Sequence, residues 1–241
     1  MRDEGRAELT VSQRGVLAVL LTVDGLLVFL HVVSQWLWYH GESVLGRTFE
    51  GAQLLSLDRE ISVPTWWQQV AVAAIAGLAT LIALFERRRG LPDHRYWAGL
   101  GVILLLMSLD EGAEIHEHLI QPMRDQFGIT GGVLWFAWLI PGLAALALFG
   151  VVYLRFWLRL RPPVRWQLGL AGGLYLLGAV GFEMLGGVYE SSRGFQDFGY
   201  ALVIACEEGL ELVGQTVAIY GLLTMLRSLH GAAGLRLQMR A

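Results

Sequence analysis

The chain has one cysteine, Cys206, and none of its 18 basic residues is a lysine. A single thiol excludes an intramolecular disulfide framework and any cysteine-rich zinc or iron–sulfur site. Charge of either sign is scarce. Charged residues make up 16% of the chain, against about 25% in a typical soluble domain, which excludes an ordinary soluble globule. Apolar residues take their place and fall into six blocks, each of about 20 or more, the length that crosses ~30 Å of hydrocarbon at 1.5 Å per residue. The chain therefore reads as an all-α, polytopic membrane protein: six transmembrane helices in one bundle, forming a single transmembrane domain over 1–241.

The expected spans are 16–38, 67–85, 96–118, 133–153, 168–189 and 200–226, with tails at 1–15 and 227–241. No room is left for a soluble domain. The longest loop, 39–66, has space for a short surface helix in which Phe49, Leu54, Leu55 and Leu57 interleave with Glu50, Asp58, Arg59 and Glu60. Within it, Ser62-Val63-Pro64-Thr65 reads as a helix start, because proline in the first turn lacks only an N–H that would have had no partner. The first block is too long for a signal peptide, carries Asp24 and His31 and has no small-residue cleavage site after it, so it reads as a retained helix.

Arginine sets the expected orientation. With the N-terminus cytoplasmic, fourteen arginines fall on that side and four (Arg47, Arg59, Arg124 and Arg193) on the other, a positive-inside bias that places both termini in the cytoplasm. Trp36, Trp38, Trp66, Trp67, Trp135 and Trp138 then mark the outer interface, and Trp97, Trp157 and Trp166 the inner one. The chain is expected in the cytoplasmic (inner) membrane of a bacterium.

The acids segregate the opposite way. Glu42, Glu50, Asp58, Glu60, Asp125 and Asp197 read as solvated loop charge, but others lie within spans. At about 100° per residue, Asp110, Glu111, Glu114, Glu117 and His118 share one face of the third span, while His116 points away and reads as an interfacial hydrogen-bonding residue. Glu207, Glu208, Glu211 and Gln215 share a face of the sixth, the fifth carries Glu183 and Glu190, and the first shows Asp24, His31 and Gln35 in one stripe. Glu117, His118 and Glu190 read equally well as solvated helix ends, and Asp24 and His31 as a mutual pair or as bonds to nearby backbone.

An ionisable group in hydrocarbon costs ~2.5–3.5 kcal/mol on insertion scales and marks function by default. No arginine lies inside a span to neutralise these carboxylates. Either protons or cations must do so, unless Arg59 and Arg193 fold over from the outer loops. Oxygen-rich sites with an imidazole suit iron, manganese, calcium or zinc. The leading expectation is a divalent metal ion held by Glu111, Glu114, Glu183, Glu207 and Glu211, with His118 and His31 as further ligands and Asp110 and Glu208 as proton-handling catalytic groups.

Asp110-Glu111-Gly112-Ala113-Glu114 and Glu207-Glu208-Gly209-Leu210-Glu211 share the pattern acid, Glu, Gly, small or apolar, Glu. Glycine at the third position would let two antiparallel helices approach and form a carboxylate box, as in ferritin-like bundles, although the Glu-x-x-His of that template is absent. Gly169 and Gly173 form a small-xxx-small pair in the fifth span, suited to close packing. The runs Leu57-Asp58-Arg59-Glu60, Pro64-Thr65-Trp66, Leu109-Asp110-Glu111 with His116-Glu117, then Glu183 and Glu207-Glu208 with Glu211, resemble an uncharacterised family of bacterial six-span integral membrane proteins. That resemblance implies the fold and brings no reaction with it. The spacing of His31, His40, His116 and His118 does not match the three-histidine pattern of zinc-dependent alkaline ceramidase-like hydrolases.

Three function classes follow: a metal-dependent enzyme acting on a lipid-like or amphipathic substrate, a cation, proton or metal transporter, and a non-catalytic assembly or sensor protein. The expected partners are membrane lipid and a small amphipathic substrate or cation, not nucleic acid. The sequence leaves the oligomeric state open.

Overall fold

A computed structural model describes residues 12–45, 50–194 and 197–230. The outer parts of both expected tails, and Phe49 of the expected loop helix, lie outside them. The described residues form helices and turns without strands: α1 (Gln13–Leu45), α2 (Val63–Arg88), α3 (His94–Ala113), α4 (Ile120–Phe127), α5 (Leu139–Arg159), α6 (Pro162–Leu176), α7 (Glu183–Arg193) and α8 (Phe198–His230). Six helical stretches are long and apolar enough to cross a membrane, the fifth being Pro162–Arg193, which joins α6 and α7.

Local chemistry accounts for the boundaries. Ser62 caps α2, its Oγ accepting from Thr65 N–H at 3.2 Å, with Pro64 in the first turn, so the helix starts where the Ser-Val-Pro-Thr run places it. Asp197 opens α8 by accepting from Tyr200 N–H at 2.7 Å and takes the Tyr189 hydroxyl of α7 on the same carboxylate. These bonds hold Asp197 below the usual carboxylate range, Tyr200 N–H contributing most. Between α6 and α7 the chain makes a π turn, Leu177–Phe182. The fifth span is thus a broken helix, a feature that often accompanies a functional site.

α8 is the central element, packing against α1, α2, α6 and the π turn, while α3 packs on α2. Lipid offers little hydrophobic drive for helices to associate, so close approach and hydrogen bonds must hold them. Small residues supply the first. A Cβ on Gly178 would lie 2.5 Å from the Glu207 carbonyl oxygen, and one on Gly214 would lie 2.9 Å from that of Ala171. Gly101 similarly meets Ala76 O at 3.2 Å between α3 and α2. The expected contact of the two acidic segments through their glycines is not made: Gly112 abuts Gln69, and Gly209 abuts Val28. Of the small-xxx-small pair, Gly169 receives the Trp157 ring and Gly173 has no neighbour within 4 Å.

Buried polar residues supply the second kind of tie. His31, 1% exposed, accepts Leu57 N–H on Nδ1 at 2.9 Å, so Nε2 carries the hydrogen and donates to Ala201 O at 3.0 Å. Asp24 receives Trp67 Nε1–H at 2.9 Å and the Thr216 hydroxyl at 2.6 Å, joining α1, α2 and α8. These two residues pair with separate partners, not with each other. The loop before α2 is drawn inward by the same bonds. Its helical part is the 3-10 segment Glu50–Leu55, and Ala52, Ser56 and Leu57 are buried.

At the arginine-rich end, Ile75, Ala79 and Ile82 of α2, Trp97 of α3, Phe156 of α5, and Leu222 and Leu226 of α8 close into one apolar cluster. Leu57, Tyr200, Ile204 and Leu212 form a smaller one toward the acidic end.

The close approach at Gly178 predicts a sharp contrast. Gly178→Ala forces the π turn off α8 and costs about 1–3 kcal/mol of overpacking, read as a drop of several degrees in unfolding temperature in detergent. Gly172→Ala, inside α6 with nothing within 4 Å, does not lower that temperature and raises it slightly, because alanine is the better helix former. Equal behaviour of the two would contradict the packing described.

Candidate metal centre

Glu207, Glu208 and Glu211 project from one stretch of α8, and one oxygen from each lies within 4.8 Å of the others. Glu207 is 6% exposed and Glu211 8%, whereas Glu208 is half-buried. Each carboxylate is held from a different helix. Gln68 of α2 donates Nε2–H to Glu208 Oε2 at 2.5 Å. Tyr175 of α6 donates its hydroxyl to Glu211. Glu183, set by the π turn at the start of α7, meets Glu207 carboxylate to carboxylate at hydrogen-bonding range. The Trp138 indole N–H fixes Glu183 Oε1 at 2.7 Å.

Acceptors outnumber donors here. Oε2 of Glu207 is buried with no hydrogen-bond partner, as are Oε1 of Gln68 and Oε1 of Gln215. Ionised carboxylate and amide oxygens only accept, so these oxygens call for a proton or a cation to satisfy them. Glu111 of α3, half-buried, acts electrostatically on both Glu208 and Glu211. Among the described residues no arginine pairs with any of these glutamates. Arg59 instead donates to Gln53 Oε1 at 3.0 Å, and Arg193 stacks 5.5 Å over the Tyr189 ring. Neither serves as the counter-ion weighed from the sequence.

The end of the third span departs from its expected course. α3 stops at Ala113 because Glu114 takes a left-handed conformation, φ 53°, and the uninterrupted helical face does not extend to His118. The chain turns back, so that His116 donates backbone N–H to Asp110 Oδ1 and brings Nδ1 to Asp110 Oδ2, both at 3.0 Å. His116 thus points inward rather than away, and with Glu60 and Glu117 it forms a second group of ligand atoms lying within 4.8 Å of one another. Asp110 is occupied with His116 and stands outside the Glu207 group. Glu114 and His118 are also outside it. His118 is exposed, with Nδ1 at 2.6 Å from the Glu114 carbonyl, and Glu114 marks the helix end. His31 has both ring nitrogens engaged by backbone groups, which leaves it no lone pair for an ion.

The two groups share a wall. The His116 ring packs against Trp138, centroids 5.1 Å apart, and Trp138 is the donor to Glu183. The crowding of acids is felt in the loops as well. Glu60 is pushed up to about 8 by burial first, then by Glu111, Glu117, Glu114 and Asp110. Asp58 is pushed up to about 7 by the protein packed around it, then by Glu190, Glu117 and Glu183, although its side chain still reaches water. Burial also raises Glu117, with His116 opposing.

Of the residues expected at the site, the structure brings together Glu207, Glu208, Glu211 and Glu183, with Glu111 beside them. Sequence reasoning missed Gln68, Tyr175, Trp138, Glu60 and His116 as parts of the two groups. Gln68 carried a usable signal, as one of two adjacent glutamines beside Trp67 at the start of a largely apolar span. Glu60 carried little, since a loop acid is ordinarily solvated.

Taken together, the fold and these carboxylates define a multi-pass helical membrane protein with a possible acidic metal-binding cluster inside its bundle. The chain belongs to the family described as a domain of unknown function (DUF8692), whose model matches residues 16–226. No curated protein and no solved structure matches it.

The meeting of Glu183 and Glu207 predicts that this carboxylate pair is held at the expense of stability. In chelator-treated protein, Glu207→Gln gives Glu183 an amide donor where two carboxylates must otherwise share a proton. It should raise the unfolding temperature by the few degrees that about 1 kcal/mol represents. An unchanged or lowered temperature would contradict the unpaired acceptor.

Proposed function

We propose that this protein resides in a bacterial inner membrane with both termini cytoplasmic, and that it holds a divalent metal ion in the outer half of the bilayer. We further propose that it acts there as a metal-dependent enzyme on a lipid-like or amphipathic substrate. The observation that carries this reading is the group Glu207, Glu208 and Glu211, with oxygens within 4.8 Å and Glu207 Oε2 lacking any partner. The donor set fits a hard or borderline cation: three carboxylates, with the Gln68 amide beside them. Glu208 is therefore assigned to the ligand set, and the proton-handling role passes to Glu111.

One-sidedness favours chemistry over conduction. The carboxylates sit toward one end of the bundle, while the apolar cluster around Trp97, Phe156, Leu222 and Leu226 closes the other. A conducting path would have to cross that cluster, where the Tyr153 hydroxyl is already taken up on Tyr96 O and Glu86 is the one buried carboxylate at that end among the described residues. When bound, the metal supplies Lewis-acid activation of water or of a substrate oxygen. Tyr175 orients Glu211 and Gln68 orients Glu208, so the oxygens are placed before any ligand arrives. Trp138 holds Glu183 against Glu207, and Glu111 stands next to the group, half-buried, where it can take or return a proton. Large apolar side chains such as Leu106 and Leu109 of α3 are exposed close to Glu111 in sequence, a surface that suits an amphipathic substrate.

Elemental analysis of protein purified without chelators tests this. The wild type should carry a divalent metal at a fixed ratio, and the Glu208→Gln, Glu211→Gln double variant should lose the ion held by this group while remaining folded. Wild-type protein with intact fold and no metal above background would overturn the reading. Metal-dependent ion flux in reconstituted vesicles would replace catalysis with transport.

A further inference from the structure

We propose that Glu60, His116 and Glu117 form a second, separate site for a borderline divalent cation, with an imidazole nitrogen among its ligands. One ligand atom from each lies within 4.8 Å of the other two. Two chain segments far apart in sequence supply them, the loop before α2 and the turn after α3. The group shares no residue with Glu207, Glu208 and Glu211, and the argument for it does not rest on the function proposed above.

Two further observations point to a ligand rather than to a mere patch of acids. The first is Glu60 Oε2, which is sealed from water and has no hydrogen-bond partner. A buried acceptor left without a donor is costly, and a cation satisfies it. The second is the setting of His116. Asp110 Oδ2 lies 3.0 Å from its Nδ1, and Asp110 Oδ1 takes its backbone N–H at 3.0 Å. With Nδ1–H donating to a carboxylate, the lone pair is on Nε2. Metal-ligating histidines are characteristically held this way, the carboxylate fixing both tautomer and ring direction. The Trp138 ring supports the imidazole at 5.1 Å between centroids, so the ordering cost of a ligand side chain is met before an ion binds. Glu117 is exposed, which gives an ion a route in.

The donor sets separate the two sites chemically. One imidazole with two carboxylates suits zinc, iron, cobalt or manganese, whereas the all-oxygen group on α8 suits harder ions as well. Asp110 becomes a positioning residue, acting through His116 rather than touching the ion.

The test uses full-length protein in detergent, stripped with chelator and titrated with Zn²⁺. The Glu208→Gln, Glu211→Gln double variant removes the α8 group and so isolates this site. It should still bind Zn²⁺, and adding His116→Gln should abolish that binding. Adding Asp110→Asn instead should keep the stoichiometry and weaken affinity about 10–100-fold. Because His116→Gln also removes a bond that closes the turn, a second measurement leaves His116 in place. In the double variant loaded with Mn²⁺, electron spin-echo modulation should show a directly bound nitrogen. Zn²⁺ binding unchanged by His116→Gln, or Mn²⁺ bound without a nitrogen signal, would overturn the proposal, and neither outcome bears on whether the α8 group holds metal.

Discussion

Carboxylate oxygens gathered inside a bundle of membrane-spanning helices, with no arginine paired to them among the described residues, set the terms for the rest of this structure. Two like charges at about 4.8 Å repel by roughly 3–4 kcal/mol at an effective dielectric near 20. The three pairs among Glu207, Glu208 and Glu211 would therefore oppose folding by ~10 kcal/mol if all were ionised, as much as the whole net stability of a typical protein. Glu183 and Glu111 add to this. Neutralisation by protons or a cation is therefore a condition of the fold, and Glu207 Oε2, buried without a hydrogen-bond partner, is an oxygen that needs it.

The rest of the fold supports that site at some cost. The π turn interrupts the fifth span next to Glu183, and Gly178 within it brings the chain against the Glu207 backbone closely enough that a methyl group would collide. Glu114 takes a left-handed conformation that ends α3 early and turns His116 back onto Asp110. Both distortions lie at the acidic end. The arginine-rich end is by contrast regular helix around an apolar cluster, while Asp24 and His31 fasten α1, the loop before α2 and α8 with fully paired hydrogen bonds. The clustered carboxylates lie at the end where the helices are distorted, while the buried Glu86, by Trp97, stands apart from them at the other end.

Periodicity and composition were enough to read six spans, the α2 start at Ser62-Val63-Pro64-Thr65 and the shared face of Glu207, Glu208 and Glu211, because each follows from local helix geometry. Interruptions of that geometry were not legible. A 100° rotation carried past Ala113 put His116 on the wrong side, since the helix breaks at the left-handed Glu114 and the turn that follows bonds back to Asp110. Gly112 and Gly209 suggested two helices in contact, but glycine shows only that something approaches closely, and here it is Gln69 and Val28. His31 looked like a ligand because a buried histidine in a polar stripe resembles one. Its two backbone partners come from the loop before α2 and from α8, which no spacing reveals. Glu60 was hidden for the same reason, because that loop is drawn inward by Leu57 and only then does its acid face the turn after α3.

The most direct measurement is an anomalous-scattering map from crystals of the full-length protein loaded with Mn²⁺. The account predicts a peak bonded at about 2.0–2.6 Å to oxygens of Glu207, Glu208 and Glu211. A map without that peak, in which the same carboxylates contact one another through short oxygen–oxygen hydrogen bonds, would show that protons alone neutralise the group and would contradict the account.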